Sequence, residues 1–194
     1  MNDRPHIKNL PGSWLQTLNE AFESDEIYKP EQGDREDKTS PAYVRMCHQR
    51  ILDGLVASAL GSTVEWRRAK GRMPMHAEVT AGRIDELIWA DRWYGTSLPV
   101  ADNWRALKEL IKKRKLDVYI ESLVSGEYEG NPRVYVTVGT AATHPAIPGP
   151  RFVGTAPLDG LMLLLCWLCV SALGAFDDLS ASDSEALDWN EEDD

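Results

Sequence analysis

Two cysteines separated by two residues, Cys166 and Cys169, are the nearest approach to a redox motif in this chain. A C-x-x-C pair performs thiol–disulfide chemistry when one thiol lies at the amino-terminal end of a helix, where the helix dipole lowers its pKa. Here both cysteines fall in the middle of an apolar run, from Leu161 to Val170. This position favours two buried thiols with a structural role.

A zinc site on the same pair would need two further ligands, and Cys47 and His48 are the candidates on another predicted helix. Adjacent positions of a helix point about 100° apart and seldom converge on one metal ion. We therefore predict no metal and no cofactor.

His144 is the residue on which an unrecognised catalytic site could be built. It lies beside Thr140 and Thr143 in a Gly-, Pro- and Thr-rich stretch, 139–156, that we predict to be a long loop. Loops of this length are often functional. The chain contains no nucleophile elbow, P-loop, H-x-x-x-H or G-x-G-x-x-G pattern. An enzyme of unrecognised type is therefore the third alternative, behind two classes of binding protein.

A basic stretch and a lysine-rich helix face could together bind phosphate groups, with tryptophans nearby as stacking surfaces. The alternative is that the tryptophans are core residues and the basic side chains form a solvated face, or that the acidic tail neutralises them. The candidate nucleic-acid-binding residues are Arg67, Arg68, Lys70, Lys112 and Lys113.

The net charge is −10, and residues 177–194 carry nine acidic residues and no basic residue. Such tails are commonly solvated. The pair Leu187 and Trp189 lies among these carboxylates, however, and an apolar pair within acids can dock on a basic groove in place of nucleic-acid phosphates. The candidate partner-binding residues are Asp177, Asp178, Asp188, Trp189, Glu191 and Glu192.

Local signals predict the helices that would position these residues. A first short helix would be capped by Ser13. Ser40-Pro41 is a strong helix start and Gly61 a strong stop, which predicts a helix over about 42–60. Asp102 would cap a helix over about 103–114. Pro157 would begin an apolar helix of about 16 residues, shorter than the roughly 20 that cross a bilayer.

Alternating apolar residues predict strands over 63–66, 116–123 and 133–138. In the second of these, Leu116, Val118 and Ile120 alternate with Asp117, Tyr119 and Glu121. Residues 67–82 are basic and irregular, and the pattern over 83–90 fits a helix or a strand equally well.

The order of these elements favours an α+β fold, with helices packed on a small antiparallel sheet and acidic N- and C-terminal extensions. We divide the chain into an N-terminal helix and acidic linker (1–40), a core domain (41–176) and an acidic tail (177–194). Three cysteines cannot all pair, and the first residues are polar. We therefore expect reduced thiols, in the cytoplasm of a bacterial host.

Two segments, from Asp102-Asn-Trp104 through Glu121 and from Phe152 through Gly174, resemble NinX-type proteins of tailed phages, whose function is unestablished. Those proteins commonly show an Asp-Trp motif before a short charged segment and a strand, and end in a helix that begins at Thr-Pro-Leu and closes with glycine. Residues 51–61 are similar to their opening Leu-rich helix. The chain departs from them at Arg105-Ala-Leu-Lys108, where they have Gly-Gly-Pro-Ile-Ile, and in its acidic ends.

The resemblance implies a phage or prophage origin and carries over no catalytic residue. With the acidic ends, it leads us to expect a non-catalytic accessory protein that binds and inhibits a host protein or ribonucleoprotein complex with a basic surface, for example a defence complex of the CRISPR type. The alternative is a nucleic-acid-binding protein with a basic body and a regulatory acidic tail.

Overall fold

A computed structural model of the protein describes residues 4–29, 32–34, 37–67, 75–82, 100–140, 149–177 and 179. Four α-helices and six β-strands fall in these residues. In chain order they are β1 (Ile7–Lys8), α1 (Gly12–Glu23), α2 (Pro41–Leu60), β2 (Thr63–Arg67), β3 (His76–Ala81), α3 (Val100–Arg114), β4 (Leu116–Leu123), β5 (Arg133–Thr140), β6 (Arg151–Pro157) and α4 (Leu161–Ala172).

The strands form two three-stranded sheets, and the predicted α+β class is confirmed. The second sheet, in the order β4-β5-β6, is fully antiparallel. The first, in the order β1-β2-β3, joins a parallel pair to an antiparallel one: Ile7 lies opposite Val64, and Trp66 opposite Ala77. The sequence had indicated a single sheet, because it gave no signal for β1 or β3.

Helices α2 and α4 form the centre of the molecule. Helix α2 packs on the first sheet and on α4, and α4 packs beneath β5 and β6. Both helices are therefore covered on most sides, and an all-round apolar helix such as α4 suits that position. Helix α1 closes one side, where the ring of Phe22 stacks on that of Trp167 with centroids 4.8 Å apart.

The ends of α2 lie where the sequence predicts them. The Ser40 side chain accepts a hydrogen bond from the Tyr43 backbone N–H at 3.1 Å, and Gly61 ends the helix with φ at 108°. Two side chains from the last turn of α3 bind the C-terminal end of α2. Arg114 Nε donates to the Ala59 carbonyl at 2.7 Å, and Lys113 Nζ donates to that of Leu60. These cations satisfy carbonyls that the helix itself leaves open.

Other predicted boundaries were wrong. Ser13 and Asp102 lie inside α1 and α3 and not at the N-cap positions predicted for them. Pro157 ends β6, and α4 begins at Leu161 after a short 3₁₀ turn. The stretch 139–156 is not one loop, because β5 continues to Thr140 and β6 begins at Arg151. The undecided segment 83–90 lies outside the described residues.

The N-terminal segment packs into the same core as the rest of the chain, through Ile7, Trp14, Leu18 and Phe22. All four side chains are at most 5% exposed. Across the described ranges, no helix combines the length and the apolar character that crossing a membrane would require.

Candidate functional site: the open face of the second sheet

The two faces of the second sheet differ in what covers them. Val134, Val136 and Val138 of β5 point towards α4 and are at most 1% exposed. Because side chains alternate along a strand, the residues between them lie on the opposite face. On that face Tyr119, Thr137 and Val153 are half-buried or exposed, and we call it the open face.

The centre of the open face is a row that crosses all three strands. Tyr119 of β4 lies opposite Thr137 of β5, which lies opposite Val153 of β6. The two outer members are strongly exposed, Tyr119 at 59% and Val153 at 54%. The next row, Glu121 and Thr155 with Tyr135 between them, adds a half-buried aromatic ring. The open face is therefore apolar at its centre.

One end of the open face is held by an ion pair. Arg133 donates to Asp25 at 2.8 Å and to Thr155 Oγ1 at 3.1 Å, which ties the turn after α1 to β5 and β6. The same turn carries Tyr28, whose phenol is buried. Burial, and then the neighbouring Asp25 carboxylate, raise the pKa of Tyr28, so it stays neutral at physiological pH.

The other end of the open face holds a half-open cavity of about 370 Å³. Asp117 and Arg151 line it from the two outer strands, with Gly139 between them in the same row. Neither charged group has a hydrogen bond or ion pair with any residue that the structure describes. Tyr119 and Thr137 also line the cavity, so the charged end and the apolar centre are continuous.

The acidic residues predicted to bind a partner are mostly outside the described part of the chain. Asp177 is described, and it forms an ion pair with Arg4 at 3.2 Å in which both side chains are partly exposed. Asp178, Asp188, Trp189, Glu191 and Glu192 lie outside the described residues.

Of the basic candidates that the structure describes, Arg67 and Lys113 bind other groups of the protein. Arg67 is bound on its own sheet by Glu65 at 3.0 Å and by Glu78, and the hydrogen bond that its guanidinium donates to the Glu78 carboxylate raises the pKa of Arg67. Lys113 is used at the end of α2, as described above, whereas Lys112 is exposed. Arg68 and Lys70 are not among the described residues.

The cysteines are buried, as the sequence predicted for Cys166 and Cys169. Burial raises the pKa of Cys169 to about 12 and that of Cys166 well above its usual value, so thiolate is scarce at neutral pH. Within the described ranges, no group of three or more His, Cys, Asp or Glu side chains could hold a metal ion. His144 falls outside the described residues.

Only the part of this site that lies on β4 can be recognised from the sequence. The alternation in 116–123 places Asp117, Tyr119 and Glu121 on one face, but that face was not recognised as exposed. Val153 was missed because its strand was predicted to be loop. A useful signal would have been a large aromatic residue on the polar side of an alternating strand.

Comparison of the chain with known protein families, with characterised proteins and with solved structures gave no match. The similarity to NinX-type proteins therefore stays an interpretation of the sequence.

Proposed function

We propose that this chain is a non-catalytic accessory protein of a phage or mobile element, and that it binds a host protein through the open face of its second sheet. The observation that supports this proposal is the position of the exposed apolar side chains. Two of the strongly exposed large hydrophobic residues among those described, Tyr119 and Val153, lie in the central row of that face, whereas Ile120, Val124 and Leu158 lie outside it. Apolar patches of this kind mark interaction surfaces.

The face has the layout of a protein-binding surface. Tyr119 and Val153 flank the smaller Thr137 in one row across the three strands, so two exposed apolar side chains stand on either side of it. Large apolar anchors near the centre carry most of the energy of such contacts, and Tyr is among the residues enriched there. The charges of Asp117 and Arg151 at the cavity would then fix the orientation of the partner.

The partner class that we propose is a host protein or ribonucleoprotein complex of the bacterial cytoplasm, with a defence complex of the CRISPR type as the specific candidate. The resemblance to phage proteins and the nine carboxylates of 177–194 support this choice. The tail, with Asp188, Trp189, Glu191 and Glu192, would be a second contact on a basic surface of the same partner. Long-range attraction between tail and partner would speed association.

The test compares three baits in quantitative affinity purification from bacterial lysate: the wild type, Val153→Lys and Ala81→Lys. Val153→Lys places a charge at the centre of the open face. Ala81→Lys places the same charge on an exposed position of the first sheet and is the matched control. We expect a protein that the wild type and Ala81→Lys both retain and that Val153→Lys loses.

Identical protein sets from all three baits would count against the open face as the binding surface. The defence candidate is tested separately, by plasmid interference in cells with an active CRISPR-type system. We expect expression of the wild type to restore transformation and expression of Val153→Lys to leave interference intact. Unchanged interference with the wild type would reject this candidate and leave protein binding itself open to the first test.

A further inference from the structure

Strand β4 forms an edge of the second sheet. Its eight residues pair with β5 in one continuous register, without a bulge and without proline or glycine. No strand among the described residues pairs with its other side. A long and regular edge presents a row of open backbone N–H and C=O groups, which readily accept another strand.

The inner side of this edge is incompletely covered. Helix α4 packs beneath β5 and β6, and exposure on the inner face of β4 rises along the strand. Leu116 is 6% exposed, Ile120 41%, and Val124, just beyond the strand, 63%. The open edge is thus apolar where the helix layer no longer reaches.

We propose that β4 pairs antiparallel with β4 of a second copy of this chain, with the two-fold axis at Ile120. The two second sheets would then become one six-stranded sheet, with β6 at both ends. Self-pairing about a two-fold axis is the commonest form of association between identical chains. This inference goes beyond the proposed host-binding function and does not depend on it.

The side chains of β4 select this register. With Ile120 opposite its own copy, Asp117 lies opposite Leu123, and Tyr119 lies opposite Glu121. Moving the centre to Tyr119 would place Asp117 opposite Glu121 at two symmetric positions. Moving the axis to Glu121 would place this glutamate opposite its own copy. Moving the axis to Val118 would leave the end of each strand unpaired. A register that paired odd-numbered residues of one strand with even-numbered residues of the other would place the inner residues of one copy on the outer face of the joint sheet.

The pairing also covers the exposed apolar groups. Ile120 would contact its own copy, and Leu116 would lie opposite Val124. Cross-strand neighbours of this kind have Cβ atoms about 4.5–5.5 Å apart. Ile120 and Val124, which are 41% and 63% exposed, would therefore lose exposed surface. On the outer side the two open faces would lie next to each other.

Cysteine scanning tests the register. Tyr119→Cys, Ile120→Cys and Glu121→Cys are each oxidised mildly, and covalent dimer is quantified on non-reducing gels. The native thiols Cys47, Cys166 and Cys169 are all buried and do not interfere. Directly opposed residues have Cα atoms within the range that a disulfide spans. We expect Ile120→Cys to form covalent dimer at least about fivefold faster than either neighbour.

Sedimentation equilibrium supplies a second measurement that requires no new thiol. Leu123→Asp would oppose Asp117 of the second copy at two positions, whereas Leu123→Lys would attract it. We expect the dimer dissociation constant to rise about fivefold for Leu123→Asp and to fall for Leu123→Lys, with both effects reduced by salt. A wild type that stays monomeric at the highest attainable concentration would overturn the proposal. So would a crosslinking maximum at position 119 or 121, or equal dissociation constants for the two Leu123 variants.

Discussion

His48 of α2 and Thr17 of α1 meet at the junction of their helices, with 3.1 Å between Nε2 and Oγ1. The imidazole is buried, and the Trp14 ring lies edge-on to it at a centroid distance of 6.0 Å. Burial lowers the pKa of His48 from 6.5 to about 4, because a charged ring could not be solvated there. The packing of α1 on α2 therefore requires the neutral histidine.

This requirement predicts loss of stability in mild acid. The folded-state pKa lies below the unfolded one, so the unfolded chain binds the proton first, and stability falls as the pH drops from about 6.5 towards 4. Between pH 7 and pH 4.5 this group should lower the free energy of unfolding by about 2 kcal/mol. Urea unfolding of the wild type and of His48→Gln, which cannot gain a charge, measures the difference. An equal loss in both proteins would exclude His48 as the cause.

Ser40 caps α2, a helix at the centre of the core, so removing its hydroxyl should destabilise the fold. Its hydroxyl accepts from the Tyr43 N–H, so Ser40→Ala should lower the free energy of unfolding by about 1 kcal/mol. The matched control is Ser13→Ala, because Ser13 lies within α1, where alanine is the better helix former. Denaturant unfolding should show a loss for Ser40→Ala and little change or a small gain for Ser13→Ala. Equal losses would contradict the assignment of the caps.

Features of the fold that neighbouring residues encode were predicted correctly, whereas features that depend on distant partners were missed. The ends of α2 are encoded by residues next to them, Ser40 and Gly61, and both were predicted. The strand β1 has two residues, Ile7 and Lys8, and exists because β2 lies beside it. No local pattern can report a partner more than 50 residues away, which is why a sheet was missed.

The open face also combines local features, which the sequence shows, with tertiary features, which it does not show. The alternation of β4 is visible in the sequence and correctly separated Tyr119 from Ile120. The strand β6 contains Gly154 and ends at Pro157, so its composition is typical of a loop, and its pairing with β5 makes it a strand. Whether a face is covered depends on where α4 packs, and this is a tertiary property.

Because β6 and α4 pack closely, mutations of Gly154 and Leu164 should have non-additive effects on stability. A methyl group added at Gly154 would lie 2.8 Å from Leu164 Cδ1, and Leu164 is 1% exposed and cannot move to solvent. Gly154→Ala should therefore cost about 1–3 kcal/mol of stability. In a Leu164→Val background the obstructing carbon is gone, and the cost should fall by about 1 kcal/mol. Urea unfolding of the two single variants and the double variant tests this coupling. Strictly additive costs would show that the two groups do not compete for space.

Loss of the acidic tail separates the protein-binding proposal from the nucleic-acid alternative. Deleting 180–194 removes seven of the acidic residues, which changes the net charge from −10 to −3, and leaves the ion pair between Asp177 and Arg4 in place. If the tail masked a phosphate-binding surface, the truncated protein would bind a labelled 20-base-pair DNA duplex at low salt, and binding would weaken steeply as salt is added. We expect no binding by either form in fluorescence anisotropy, because two of the basic candidates are engaged within the protein, Arg67 by Glu65 and Glu78 and Lys113 by the Leu60 carbonyl. The thermal midpoint should be the same for both forms, which controls for unfolding. Salt-dependent DNA binding by the truncated form alone would instead support the regulated nucleic-acid-binding protein.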